Sequence, residues 1–262
     1  MIVQQIWTGN AYRNFNYLVV CPDSGEALAI DPLDYRKCLA AAKANGWRIT
    51  QILNTHEHGD HIGGNGPVQA ATGAKILAHV NAKDRIPDMD RGLRAGDTVQ
   101  VGKVTLRAMD TPGHTMSHIC LLSDSDQPAL FCGDTLFNAG AGNCHNGGHP
   151  EELYQTFVQQ LDRLPDNTRI YPGHDYINNN LQFTLDREPD NSRAAKLLGQ
   201  TQDQDPNQPL ITTLALEREV NTFFRLRSPS VIAGLREKFS DLPENPDPKS
   251  VFLKLRELRN SW

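Results

Sequence analysis

No Cys-x-x-Cys pair occurs in the chain, no apolar run approaches the ~18–20 residues of a membrane span, and there is no excess of positive charge. Five cysteines (Cys21, Cys38, Cys120, Cys132, Cys144), an odd number, argue against a disulfide framework and against a zinc ribbon. With 26 basic against 31 acidic residues the net charge is −5, so nothing draws the chain globally to nucleic acid. The opening MIVQQIWTGN has no basic segment ahead of an apolar one, and no secretion signal is expected. Repeats and low-complexity tracts are missing too. What is left is a cytoplasmic globular protein with no nucleic-acid or membrane partner, expected as a monomer or weak oligomer. At 262 residues it has room for one large domain or a large and a small one.

Short runs rich in Val, Ile and Leu, bounded by Gly, Pro, Asp or Asn, predict strands. They lie at 16–21, 26–31, 49–54, 75–79, 97–101, 103–109, 118–123, 128–133 and 168–172. A helix over 35–45 ends at Gly46, and another over 150–163 opens with Pro150 and two glutamates. Past about residue 175 the texture becomes helical, with helices expected over 178–186, 192–199, 213–226, 229–239 and 248–260. Pro-rich loops at 201–209 and 242–248 divide them. The boundary is placed so that 1–174 and 175–262 form two domains.

Nine histidines are clustered, and the densest cluster is Thr55-His56-Glu57-His58-Gly59-Asp60-His61, directly after an apolar strand. Two apart, His56 and His58 point the same way in extended backbone. Asp60 and His61 follow where the chain must turn and can face a second point. Imidazole nitrogens and carboxylate oxygens suit divalent zinc, iron or manganese. Three later segments repeat one pattern, an apolar strand, a glycine, then a ligand-type residue: Gly113-His114, Gly133-Asp134 and Gly173-His174.

Seven candidate ligands are too many for one catalytic zinc, which takes about three protein ligands and a water. They suit two divalent metal ions sharing a carboxylate. His56, His58 and His114 are assigned to one ion and Asp60, His61 and His174 to the other, with Asp134 between them. Asp60 and Asp134 would orient a bridging hydroxide for hydrolysis.

THEHGDH at 55–61, TPGHT at 111–115, FCGDTLF at 131–137 and the Pro-Gly-His-Asp-Tyr run at 172–176 resemble, in order and spacing, the metal motifs of the metallo-β-lactamase superfamily. The helical tail, with Asn179-Asn180-Leu181 and Phe183, is similar to that of the glyoxalase II family within it. The resemblance implies an α/β fold, an αββα metallo-β-lactamase sandwich with a C-terminal helical domain for substrate. It also implies two zinc and/or iron ions and hydrolysis of S-D-lactoylglutathione, a small-molecule thioester, to glutathione and D-lactate. By the same resemblance Tyr176, Arg256 and Arg259 hold the glutathione moiety, Arg259 standing where the family has Lys. In the adjoining loop the family has a basic residue and, two positions on, an aromatic. This chain has Asn143 and His145 there. Two rivals share parts of the ligand set: a persulfide dioxygenase with a single iron, and a metal-dependent ribonuclease. The helical tail stands against the first and the acidic charge against the second.

Overall fold

The structure, a computed structural model, describes all 262 residues. Along the chain run β1 (Ile2–Trp7), β2 (Phe15–Val20), β3 (Glu26–Ile30), α1 (Tyr35–Ala44), β4 (Arg48–Leu53), α2 (Gly59–Ile62), α3 (Asn65–Thr72), β5 (Lys75–His79) and β6 (Arg91–Leu93). Then come β7 (Thr98–Val101), β8 (Val104–Asp110), β9 (Ile119–Ser123), β10 (Ala129–Gly133), β11 (Leu136–Phe137), β12 (Gly140–Ala141), α4 (Pro150–Gln159) and β13 (Arg169–Pro172). Five helices finish the chain: α5 (Ile177–Arg187), α6 (Ser192–Thr201), α7 (Leu214–Val220), α8 (Pro229–Arg236) and α9 (Pro248–Arg259). Two compact units result. One comprises Met1–Thr111, Ser117–Gly133 and Tyr171–Asp175; the other comprises Pro112–Met116, Asp134–Ile170 and Tyr176–Trp262.

The first unit is built on two sheets. One has the order β1-β2-β3-β4-β5-β6, antiparallel at β1-β2-β3 and parallel from β3 onward. Parallel neighbours need a crossover, and α1 and α3 supply two. The other sheet runs β13-β10-β9-β8-β7, with an antiparallel meander from β7 to β10. Side chains alternate along each strand, so β2 serves two cores. Tyr17 and Val19 pack with Leu106, Ile119, Leu121 and Phe131 of the opposite sheet, whereas Leu18 and Val20 pack with Cys38 and Ala42 of α1 and Val68 of α3. Strands buried on both faces explain why the segments read as unbroken apolar runs. Burying each such side chain contributes roughly 1.5–3 kcal/mol.

At the sheet interface Phe131 stacks on Tyr171 at 5.0 Å, and Tyr17 meets both rings edge-on at 5.6 Å. The Tyr17 hydroxyl donates to the Pro172 carbonyl at 2.6 Å, so the aromatic cluster also fixes where the chain leaves β13.

All nine expected strands are present within a residue or two. Cys120 and Cys132 are buried, and Gly46 takes a positive φ of 69° just past α1. Four differences stand out. β1 was not foreseen, because IVQQIW shows no clean alternation. α2 and α3 hide in a segment dense in His, Gly and Pro. β6, β11 and β12 are too short to carry a pattern. The helix expected over 213–226 stops at Val220, because Asn221 turns extended (φ −101°, ψ 114°). Its amide nitrogen reaches Gly140 O and Glu217, and its Oδ1 accepts from Phe223 N, a side-chain substitute for continued helix. Likewise α8 ends at Arg236, short of 239.

In the second unit Glu217 is fully buried. Its carboxylate accepts from Thr212 Oγ1 (2.8 Å), Ala139 N (2.8 Å) and Asn221 Nδ2 (3.0 Å), which ties α7 to the β11–β12 hairpin. Burial nevertheless pushes its carboxyl up from 4.5 to about 7. Below pH 4.5 both folded and unfolded chains hold this proton; between 4.5 and about 7 the unfolded chain gives it up while the folded chain keeps it, and above that both are ionised. Stability is therefore lost with rising pH, by on the order of 3 kcal/mol in total. Glu217→Gln should remove this slope. Urea unfolding at several pH values between about 5 and 8 should show the wild type losing stability relative to the variant, and parallel curves would refute the assignment.

Candidate metal centre

Each candidate ligand follows the C-terminal end of a strand. From β4 the chain passes through Thr55, whose N–H and hydroxyl donate to the buried Asp31 at 2.8 and 2.7 Å. Thr55 O in turn accepts from Ile119 N at 2.8 Å, which pins the segment to β9. The backbone stays extended to His58 (φ −68°, ψ 143°), and His56 Nε2 lies 3.0 Å from His58 Nδ1. Glu57 projects elsewhere and binds Arg85 and Ser117. At Gly59 the chain enters α2, a single turn that carries Asp60 and His61.

His61 Nδ1 lies 2.9 Å from Asp31 Oδ2, and His174 Nδ1 lies 2.7 Å from Tyr12 O. A carbonyl or carboxylate only accepts, so both Nδ1 atoms carry the proton and each Nε2 is left as a lone pair. Those two Nε2 atoms are 3.2 Å apart, with Asp60 Oδ2 at 3.6 and 3.5 Å. Asn14 Nδ2 steadies the same carboxylate at 3.1 Å. Two nitrogen lone pairs and a carboxylate, all within 4.8 Å of one another, repel unless a cation lies among them. Nitrogen and oxygen donors of this kind fit zinc, iron or manganese. His174 is held by its neighbours: Phe15 N donates to Gly173 O at 2.8 Å, and Arg13 pairs with Asp175.

The second unit brings together the remaining two. His114 Nδ1 donates to Asn143 O at 2.7 Å, and its Nε2 lies 3.6 Å from Asp134 Oδ2. The glycines ahead of these ligands permit close approach. Gly113 takes φ +147°, where a Cβ would come within 2.4 Å of Leu153 Cα; Gly133 takes φ +44°, where it would meet Thr55 Oγ1 at 2.4 Å. Neither position has room for a side chain.

Asn143, His145, Tyr176, Arg256 and Arg259 line one cavity of about 190 Å³ in the second unit. Arg259 is half-buried, its Nη2 3.4 Å from Asn180 Oδ1, and its guanidinium lies over the rings of Phe183 and Trp262. Burial lowers its pKa, against the opposing pull of Tyr176. Arg256 is buried outright and bonds to backbone carbonyls.

Sequence reasoning missed Asp31 and His118. Asp31 follows the apolar strand β3 in the way Asp134 follows β10, a signal that was available, and it occupies φ +47°, which Asp tolerates better than most. His118 stacks on His56 at 5.2 Å and 21°, with its Nδ1 2.9 Å from Thr111 Oγ1; within strand-like sequence nothing marked it.

Residues 19–174, more than half of the chain, match the family model described as metallo-beta-lactamase superfamily, and residues 175–262 match that described as hydroxyacylglutathione hydrolase C-terminus. The chain belongs to the metallo-beta-lactamase superfamily. It is 68 % identical over 263 residues to a hydroxyacylglutathione hydrolase of Nitrosococcus oceani, and 66 % identical to one of Polaromonas sp., covering 100 % of each chain in both cases. Within the superfamily, then, its branch is that of the hydroxyacylglutathione hydrolases. Its fold is similar to the crystal structure of ETHE1 from Myxococcus xanthus, at TM-score 0.69 and 25 % identity, over 98 % of this chain and 99 % of that one.

Asp31→Asn should test the hold on His61. Both Asp31 oxygens accept, Oδ1 from Thr55 N and Oδ2 from Thr55 Oγ1 and His61 Nδ1, so the NH2 of an amide faces a donor in either orientation and the ring's tautomeric anchor is weakened. Metal affinity should fall by roughly 10–100-fold, read as metal retained per chain against a competing chelator. Unchanged retention would mean that Asp31 only braces Thr55.

Proposed function

We propose that the protein is a dinuclear metal-dependent hydrolase of S-(2-hydroxyacyl)glutathione, with S-D-lactoylglutathione as its foremost substrate, releasing glutathione and a 2-hydroxy acid. The convergence of His61, His174 and Asp60 carries the metal-hydrolase part. The chain's relatives are hydroxyacylglutathione hydrolases, which supports the substrate and disfavours the dioxygenase and ribonuclease rivals. His56, His58 and His114 would hold one ion, Asp60, His61 and His174 the other, with Asp134 shared. Superfamily membership implies two metals; zinc and iron are the ions proposed for them. Bound there, they would supply a water acidified toward neutrality and a Lewis acid for the thioester carbonyl.

The chain's own groups do the positioning. Nδ1 protons held by Asp31, Tyr12 O and Asn143 O fix the tautomer and orientation of the three imidazoles and leave their Nε2 atoms to act as donors to a metal. Cys144 is no competing nucleophile, since burial pushes its thiol up to about 11 and leaves it protonated near neutrality. Residues 1–174 are read as the catalytic domain and 175–262 as the helical substrate-binding domain. In the latter reading the cavity at Asn143, His145, Tyr176, Arg256 and Arg259 takes the glutathione part. A cytoplasmic setting, without nucleic-acid or membrane partners and as a monomer or weak oligomer, completes the proposal; no helix is long and apolar enough to cross a membrane.

Fully loaded protein should contain about two ions per chain. Asp134→Ala should reduce metal content and kcat more than any single His replacement, because it withdraws oxygen from both ions. Elemental analysis alongside lactoylglutathione turnover checks this; one tightly held ion with full activity would rule out the dinuclear reading. Arg259→Ala tests the substrate. Its contact is with a part of the molecule that does not react, so KM should rise about 10-fold or more while kcat is largely spared. A short thioester without glutathione carboxylates serves as the control and should be indifferent. Equal loss on both substrates would refute glutathione recognition at Arg259.

A further inference from the structure

Arg256 and Arg259 sit three apart on α9, yet their guanidinium groups have different surroundings. Arg256 is 4 % exposed and no carboxylate pairs with it. Its Nη1 donates to Ala141 O at 2.8 Å and to Gly142 O at 2.9 Å, and its Nη2 donates to Asn260 Oδ1 at 3.1 Å. Its Nε is buried without a partner. A cation kept out of water without an anion is costly, and burial lowers its pKa to about 10. Two consecutive carbonyls bound to one nitrogen are what this charge holds.

Those carbonyls belong to the stretch that carries His114's acceptor. Gly142 N donates to Thr135 O at 3.3 Å, which keeps the segment beside the residue after Asp134. The next residue, Asn143, presents its carbonyl to His114 Nδ1 at 2.7 Å, and His114 Nε2 is thereby left facing Asp134 Oδ2 at 3.6 Å. A shift of residues 141–143 would remove the group that sets the tautomer and tilt of this imidazole. Removing an outer group that orients a ligating imidazole costs roughly 10–100-fold in metal affinity or activity.

We infer that Arg256, besides lining the cavity proposed for glutathione, is a positioning residue for His114, acting through the carbonyls of Ala141 and Gly142, and that it thereby contributes to metal retention and kcat. The inference rests on the reading of His114 as a metal ligand. Arg259, on the same helix, lines that cavity too, but its hydrogen bond goes to Asn180. Lys at position 256 would keep charge and stem but lose the planar fork that serves the carbonyls and Asn260 together.

The test compares wild type, Arg256→Ala, Arg256→Lys, Arg259→Ala and His114→Ala, each dialysed against graded chelator and assayed for metal per chain, kcat and KM. Arg256→Ala should release one ion at roughly tenfold lower chelator or less and lose kcat, with Arg256→Lys between it and wild type. Arg259→Ala should keep both ions. Proton NMR of the metal-free protein gives an independent reading: the hydrogen-bonded His114 Nδ1–H signal should vanish in Arg256→Ala. Wild-type metal retention and an intact Nδ1–H signal, with KM alone raised, would overturn the inference. If Arg256→Ala does not fold, Arg256→Lys decides, because full retention there overturns it equally. Should His114→Ala keep both ions, the ligand assignment fails, and the NMR signal alone then judges whether Arg256 positions His114.

Discussion

Two imidazole nitrogens with lone pairs facing each other at 3.2 Å, flanked by a carboxylate, form an arrangement that a protein interior does not adopt by default. Acceptor groups crowded together in the interior repel one another unless a cation or a donor is shared among them. The surroundings hold the arrangement by fixing the far side of each ring. Asp31 takes the Nδ1 proton of His61, and the Tyr12 carbonyl takes that of His174. Each ring then has one orientation and one tautomer, which is what the proposed role as a metal ligand requires. The rest of the first unit can be understood as the framework that sustains this.

That framework depends on strand ends. His56 to His61 follow β4, His174 follows β13, and the segments are locked to neighbouring strands by Thr55 O with Ile119 N and by Gly173 O with Phe15 N. The strands can end in register because their middles are fixed by packing: Tyr17, Phe131 and Tyr171 meet within 5.0–5.6 Å. The Tyr17 hydroxyl on Pro172 O links this core directly to the His174 loop. A slip of one residue would turn inward-facing rings outward and remove the ligands with them.

The candidate ligands were legible because their chemistry is written in residue type and short spacing: three imidazoles and two acids in six positions have few other uses. The strands were legible because both faces of the first sheet are apolar. What escaped was whatever depends on a distant partner. Asp31 matters through Thr55 and His61, some thirty positions on, and His118 through the face of His56. β1 carries no alternation of its own and exists because β2 offers an edge. The early end of α7 lies in Asn221, whose side chain is claimed by Gly140 and Glu217; helical propensity alone would have carried the helix onward.

The departures at Asn143 and His145 show how one loop can serve chemistry and recognition separately. Asn143 contributes its backbone carbonyl to His114 and its side chain to the cavity, where Oδ1 accepts from His145 N at 3.2 Å. Any amino acid supplies that carbonyl, so replacing a basic residue by Asn alters the cavity without altering what His114 is offered. A guanidinium behind the loop holds the carbonyls of residues 141 and 142 in place whichever side chain follows them. The cavity's cation is then carried by α9, where Arg259 sits between the rings of Phe183 and Trp262. On the proposed reading of this site, metal retention would be a property of the main chain and substrate preference a property of side chains, so that the second could vary while the first is kept.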